Sequence, residues 1–134
     1  MASFCSVSVN QNFNVKSSEY LRSRYKSIPQ EASLDIYEDA STSEVESYIK
    51  STLMDKYGYS EEDIDYLLFF NQKIVLPSNY SEGGAVDSAT EYFVQKFKMT
   101  QKEVRELLLH YPIYLRYNKE KLDERIKYSI DLGL

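Results

Sequence analysis

A nine-residue pattern occurs twice in this chain, 40 residues apart and without a gap. Ser60-Glu61-Glu62-Asp63-Ile64-Asp65-Tyr66-Leu67-Leu68 aligns with Thr100-Gln101-Lys102-Glu103-Val104-Arg105-Glu106-Leu107-Leu108. Each copy opens on a hydroxyl residue with an acid three places on. That is capping-box spacing, in which the two side chains satisfy N–H groups that the first helical turn leaves free. An aliphatic residue and a Leu-Leu pair follow at helical spacing. Both copies run into apolar tails, Ile74-Val75-Leu76 and Ile113-Tyr114-Leu115.

A longer amphipathic segment precedes each copy. Over 43–57, Val45, Tyr48, Ile49, Thr52, Leu53 and Tyr57 fall on one helix face. Ser43 and Glu46 have capping-box spacing at its start, and Gly58 suits a left-handed end. Over 86–98, Val86, Ala89, Phe93, Val94 and Phe97 point inward. Pro112 stops the helix begun at Thr100, because it lacks the N–H that a continuing helix requires. A fifth helix near 118–131, burying Leu122, Ile126 and Ile130 with Gly133 as C-cap, opens a third unit. Helix pairs at a period of about 40 residues predict an all-α fold, an α-solenoid of helix-pair repeats over 43–134.

Residues 1–42 carry no such period and are expected to form an irregular N-terminal arm and linker. Phe4, Val7, Val9, Phe13 and Val15 alternate weakly, as in an extended segment. Ser17 to Ser27 suit a short helix ended by Pro29, and 30–42 are acidic and polar. Residues 1–27 hold Lys16, Arg22, Arg24 and Lys26 against one acid, Glu19, with many serines. An organellar transit segment and a plain polar arm both fit that composition.

At 134 residues the chain suits one domain. It has no apolar run long enough to span a membrane. Its single cysteine, Cys5, and single histidine, His110, exclude an internal disulfide and a multi-His metal site. Gly83-Gly84 lacks the spacing and lysine of a phosphate loop, so no cofactor is expected. The acids sit where helix caps and solvated faces need them, and no nucleophile has a base beside it. The chain therefore reads as a non-enzyme.

With Leu108, Pro112 and Leu115 followed by Leu122, Arg125-Ile126 and Asp131-Leu132-Gly133-Leu134, the C-terminal unit resembles the mitochondrial transcription termination factor (mTERF) family. That family's repeat has a capped helix with acidic residues, an aliphatic stretch, a proline, and two leucines seven residues apart. Here Leu108-x-x-x-Pro112-x-x-Leu115 is followed by Leu122, then Arg125-Ile126 and Asp131-Leu132-Gly133-Leu134. The 59–76 unit departs from the pattern, with Gln72 in place of the proline and Val75 in place of the leucine. The resemblance covers residues 43–134. It implies a helical protein of mitochondria or chloroplasts that binds nucleic acid in transcription, RNA processing or ribosome assembly.

Charge then decides where such binding can lie. The chain has a net charge of −5, which speaks against phosphate contacts. The average conceals a division. Residues 96–134 hold nine basic and six acidic residues, a balance of +3. Residues 1–95 hold the remaining seven basic and fifteen acidic, a balance of −8. The resemblance and this basic third together nominate Lys98, Lys102, Arg105, Arg116, Lys119, Lys121, Arg125 and Lys127 as nucleic-acid contacts. A mixed-charge solvated surface is the competing reading. A second function also stands: an adaptor or accessory subunit of a larger organellar complex. The resemblance calls for the second half of a third unit where the chain reaches Leu134. Leu122, Ile126 and Ile130 are then expected to lack their usual cover and, with Tyr114 and Tyr117, to meet a protein partner.

Overall fold

The fold comes from a computed structural model describing residues 15–77 and 84–133. Among these residues it is helical, with no strand. Helix α1 spans Ser17–Arg24 and is followed by a 3₁₀ turn at Asp35–Tyr37. Helix α2, Thr42–Tyr48, runs into a π-helical stretch at Ile49–Lys56. Helices α3 (Glu61–Phe70), α4 (Ala85–Phe97) and α5 (Gln101–His110) follow. A second 3₁₀ turn at Pro112–Arg116 leads into α6, Lys119–Asp131. None of the helices is long and apolar enough to cross a membrane among the described residues.

The 40-residue register holds at the level of single atoms. Ser60 and Thr100 each accept a hydrogen bond from the N–H three residues on, and Asp63 and Glu103 each accept the cap residue's N–H. The N–H of Asn71 closes α3 on the Leu67 carbonyl at 3.0 Å, and that of Tyr111 closes α5 on Leu107 at 2.8 Å. Gly58 and Lys98 precede the two caps, and both are left-handed, with φ of 81° and 57°. Ile64 and Val104, Leu68 and Leu108, and Val75 and Leu115 are buried in pairs.

Helices α4 and α5 and the second 3₁₀ turn touch one another pairwise and close a three-sided unit. The same 3₁₀ turn also packs on α3, and α6 packs on α4. Two bonds tie the turn to α3. Asn71 Nδ2 donates to the Leu115 carbonyl at 2.5 Å, and Arg116 Nε to the Phe70 carbonyl at 2.7 Å.

The start of α2 differs from expectation by two residues. Ser41 and Glu44 form the capping box, not Ser43 and Glu46. The π stretch was not foreseen either. The Tyr57 N–H reaches back five residues to the Thr52 carbonyl, at 2.9 Å. Within it, the Ser51 hydroxyl donates to the Ser47 carbonyl at 2.7 Å, a side-chain bond that competes with the α-helical ladder.

Residues 17–40 are not an arm and linker. Leu21, Tyr25, Ile28, Leu34, Tyr37 and Ala40 belong to the same buried core as the helices that follow. Polar bonds fix the segment. Ser17 Oγ donates to the Ala40 carbonyl, Ser27 N–H to Asp65 at 3.0 Å, and Thr42 Oγ1 to the Val15 carbonyl at 3.0 Å. Arg24 pairs with Glu61 of α3. These apolar residues follow a short helix, a loop and a 3₁₀ turn in succession, so no single period marks them. The extended reading of 1–14, Cys5, and residues 78–83 of the loop lie outside the described residues.

Candidate nucleic-acid interface

The eight nominated cations do not form one surface of free charges. Arg105, on α5, donates from Nη1 to the Tyr57 carbonyl at 2.8 Å and is half-buried. Its guanidinium lies over Gly58, where an added Cβ would stand 2.4 Å from Nη1. Arg116 is bound to the end of α3 as described. Both arginines therefore join the first unit to the second, Arg105 from a half-buried position and Arg116 through its Nε–H from an exposed one. A guanidinium satisfies helix-end carbonyls well, because several donors project in one plane.

Lys119 pairs with Glu91 of α4 at 2.9 Å, both exposed, and so carries less free charge than expected. Lys121 stands 4.0 Å from Glu124 on the next turn. Such exposed pairs are weak, so both lysines stay available to a stronger partner. The guanidinium of Arg125 lies over the half-buried Tyr117 ring at 5.6 Å, a cation–π contact that leaves its edge exposed. Lys98, Lys102 and Lys127 are exposed and make no ion pair among the described residues.

Two clusters of cations result. One is the α4–α5 turn, with Lys98 and Lys102. The other surrounds a concavity of about 480 Å³ where the second 3₁₀ turn meets α6. It is lined by Arg116, Tyr117, Asn118, Lys121 and two acids, Glu120 and Glu124. Asn118 caps α6 by accepting the Lys121 N–H at 2.8 Å.

A further acid of α6, outside the concavity, is already engaged. Asp123 accepts from Lys96 Nζ and, at 3.1 Å, from the Tyr92 hydroxyl. The bond from Lys96, then that from Tyr92, holds its carboxyl below the usual range. Tyr92 is pushed up to about 12, first by burial and then by Asp123.

The residues nominated for a protein partner also divide. Leu122 is only 2% exposed and belongs to the core, so it is not a contact. Tyr114 is half-buried in an aromatic stack between Phe93 and Tyr111, at 5.8 and 5.9 Å. Tyr117 is half-buried beside Arg125, and Ile126 packs partly on the core. Ile130 alone of the five is open, at 60% exposure, and Tyr128 (62%) and Leu132 (55%) accompany it.

A tyrosine–carboxylate cluster went unpredicted. Tyr48 and Tyr57, at the two ends of the π stretch, both donate to Asp87 in the first turn of α4, at 2.5 and 2.6 Å. Separations of 39 and 30 residues fall on no sequence period, so nothing in the pattern signals the pairing. Burial and the shared carboxylate raise both phenols above their ordinary value.

Comparison with protein-family models, curated proteins and solved structures finds no match to this chain.

Proposed function

We propose that this chain is an mTERF-like helical-repeat protein that binds nucleic acid in organellar gene expression. The 40-residue register carries the reading. It joins capping boxes, left-handed turns, C-terminal bonds and buried pairs that a chance likeness of two helices would not reproduce. In this reading the units stack as a short solenoid in which each covers the next.

The contacts are Lys98 and Lys102 at one helix turn, and Lys121, Arg125 and Lys127 on α6. Tyr117 sits beside Arg125 as an aromatic surface on which a base can stack. Arg105 and Arg116 hold the units in register and act on binding only through the fold. With acids interspersed, few phosphates are neutralised, so affinity is modest and falls with salt.

Fluorescence anisotropy against duplex DNA and structured RNA over a range of salt tests this. Lys98→Glu with Lys102→Glu, and Lys121→Glu with Lys127→Glu, should each weaken binding. Each duplex phosphate deprived of its cation flattens the log–log salt slope by about 0.9. If the native chain fails to bind at low salt, or the reversals leave binding unchanged, the reading is wrong.

A further inference from the structure

The two flanks of α6 differ in what they carry. Lys119 and Asp123 face α4, the first pairing with Glu91 and the second with Lys96 and Tyr92. Lys121, Arg125 and Tyr128 fall at i, i+4 and i+7, a single row on the flank away from those contacts. Tyr128 is 62% exposed, the most open large apolar side chain among the described residues. At the foot of the row the Tyr117 ring lies under the guanidinium of Arg125. Two aromatic rings therefore bracket two cations along one edge of the helix.

The concavity at that foot has a mixed lining. Lys121 offers a donor. Asn118 caps α6 through Oδ1, which leaves its amide nitrogen as a second donor. Glu120 and Glu124 offer acceptors only. A phosphate carries acceptors alone, so it suits the cations and is repelled by both acids. A nucleobase edge carries donors and acceptors together, and so suits the whole lining. The volume of about 480 Å³ is ample for one base. Base edges are open to such a pocket only where a strand is unpaired. A duplex keeps its pairing edges engaged and brings a denser array of phosphates against the acids.

We propose, on the nucleic-acid reading above, that this edge of α6 binds an unpaired stretch of strand. One base enters the concavity beside Tyr117, and a neighbouring base stacks on Tyr128. Lys121 and Arg125 meet the backbone between them. Glu120 and Glu124 balance those two cations, so stacking supplies more of the affinity than charge does. Stacking accepts any base, so Tyr128 contributes affinity and the concavity contributes preference among bases.

The probes are a fluorescently labelled RNA strand of about 12 nucleotides, its DNA counterpart, and each annealed to its complement. With the full chain, anisotropy should show a strand bound about tenfold or more tightly than its duplex. Tyr128→Ala should weaken strand binding about fivefold or more, the effect of losing one stacked base, whereas Tyr128→Phe keeps the ring and the binding. The position is open, so melting of both variants should match the native chain. Homopolymeric strands should differ in affinity, and Glu120→Gln with Glu124→Gln should narrow that difference. The proposal is overturned if strands bind no more tightly than duplexes, or if Tyr128→Ala leaves strand binding unchanged. Binding of the duplex alone would overturn it and leave the nucleic-acid reading standing, whereas binding of neither would overturn both.

Discussion

The pairing of Tyr48 and Tyr57 with Asp87 yields the sharpest stability prediction. Both phenols are buried, at 8% and 6% exposure, and Asp87 is the acceptor for each hydroxyl. Asp87→Ala strands two donors in the interior. Each stranded group costs about 1–3 kcal/mol. Removing a carboxylate from the first turn of α4 costs about 0.3–1 kcal/mol more. The better helix propensity of Ala returns about 0.5 kcal/mol. The net is a loss of roughly 2–6 kcal/mol, a large share of the roughly 5–15 kcal/mol that small domains possess. Urea unfolding followed by far-ultraviolet circular dichroism reads this as a lower midpoint at constant slope. Asp87→Asn keeps an acceptor and should lose about half as much. The decisive case is Asp87→Ala combined with Tyr48→Phe and Tyr57→Phe. Removing both sides of a buried hydrogen bond is nearly neutral, so the triple variant should be more stable than Asp87→Ala alone. An Asp87→Ala chain within about 0.5 kcal/mol of native, the level of an ordinary surface substitution, would refute the reasoning.

Two further outcomes follow from the same geometry. Gly58→Ala forces a Cβ into a left-handed backbone and against Arg105 Nη1, so it should cost about 2–3 kcal/mol; Lys98→Gly, at the equivalent turn, should gain up to about 1 kcal/mol. Paired thermal melts check both, and an unchanged Gly58→Ala chain would count against the Arg105 contact. The phenols of Tyr37, Tyr48 and Tyr57 are raised above 10.0, first by burial, so the stability they contribute is complete below pH 10 and is lost as pH rises beyond it. Alkaline titration should show tyrosinate absorbance appearing together with loss of helix; smooth ionisation of all tyrosines near pH 10 with the helix intact would contradict that.

The elements easiest to read in the sequence were those whose caps and apolar spacing agree. Ser60 with Asp63 and Thr100 with Glu103 mark the starts of α3 and α5 because the cap is local and its chemistry is fixed. The short helix at Ser17–Arg24 was legible, but the core positions of residues 17–40 escaped because they depend on long-range packing. Tyr37 reaches the Gln72 carbonyl, and Ser27 reaches Asp65, contacts that no local window contains. The cationic site was legible as a count and not as a surface. Composition supplies the charge of Arg105 and Arg116, but only the fold shows that helix-end carbonyls hold both.

The two left-handed turns share a backbone conformation and differ in what surrounds them. Position 58 favours glycine for two reasons, its φ and the guanidinium of Arg105, which an added Cβ would displace from the Tyr57 carbonyl. Position 98 meets only the first demand: it has the same backbone conformation but an exposed side chain. A lysine there is costly, since a left-handed residue with a Cβ loses about 1–2 kcal/mol. The open space makes it possible, and the exposed ammonium stands on the same turn as that of Lys102. The same loosening runs through the second unit. Leu67 is buried and Leu107 half-buried, and Tyr59 is buried where Met99 is half-buried.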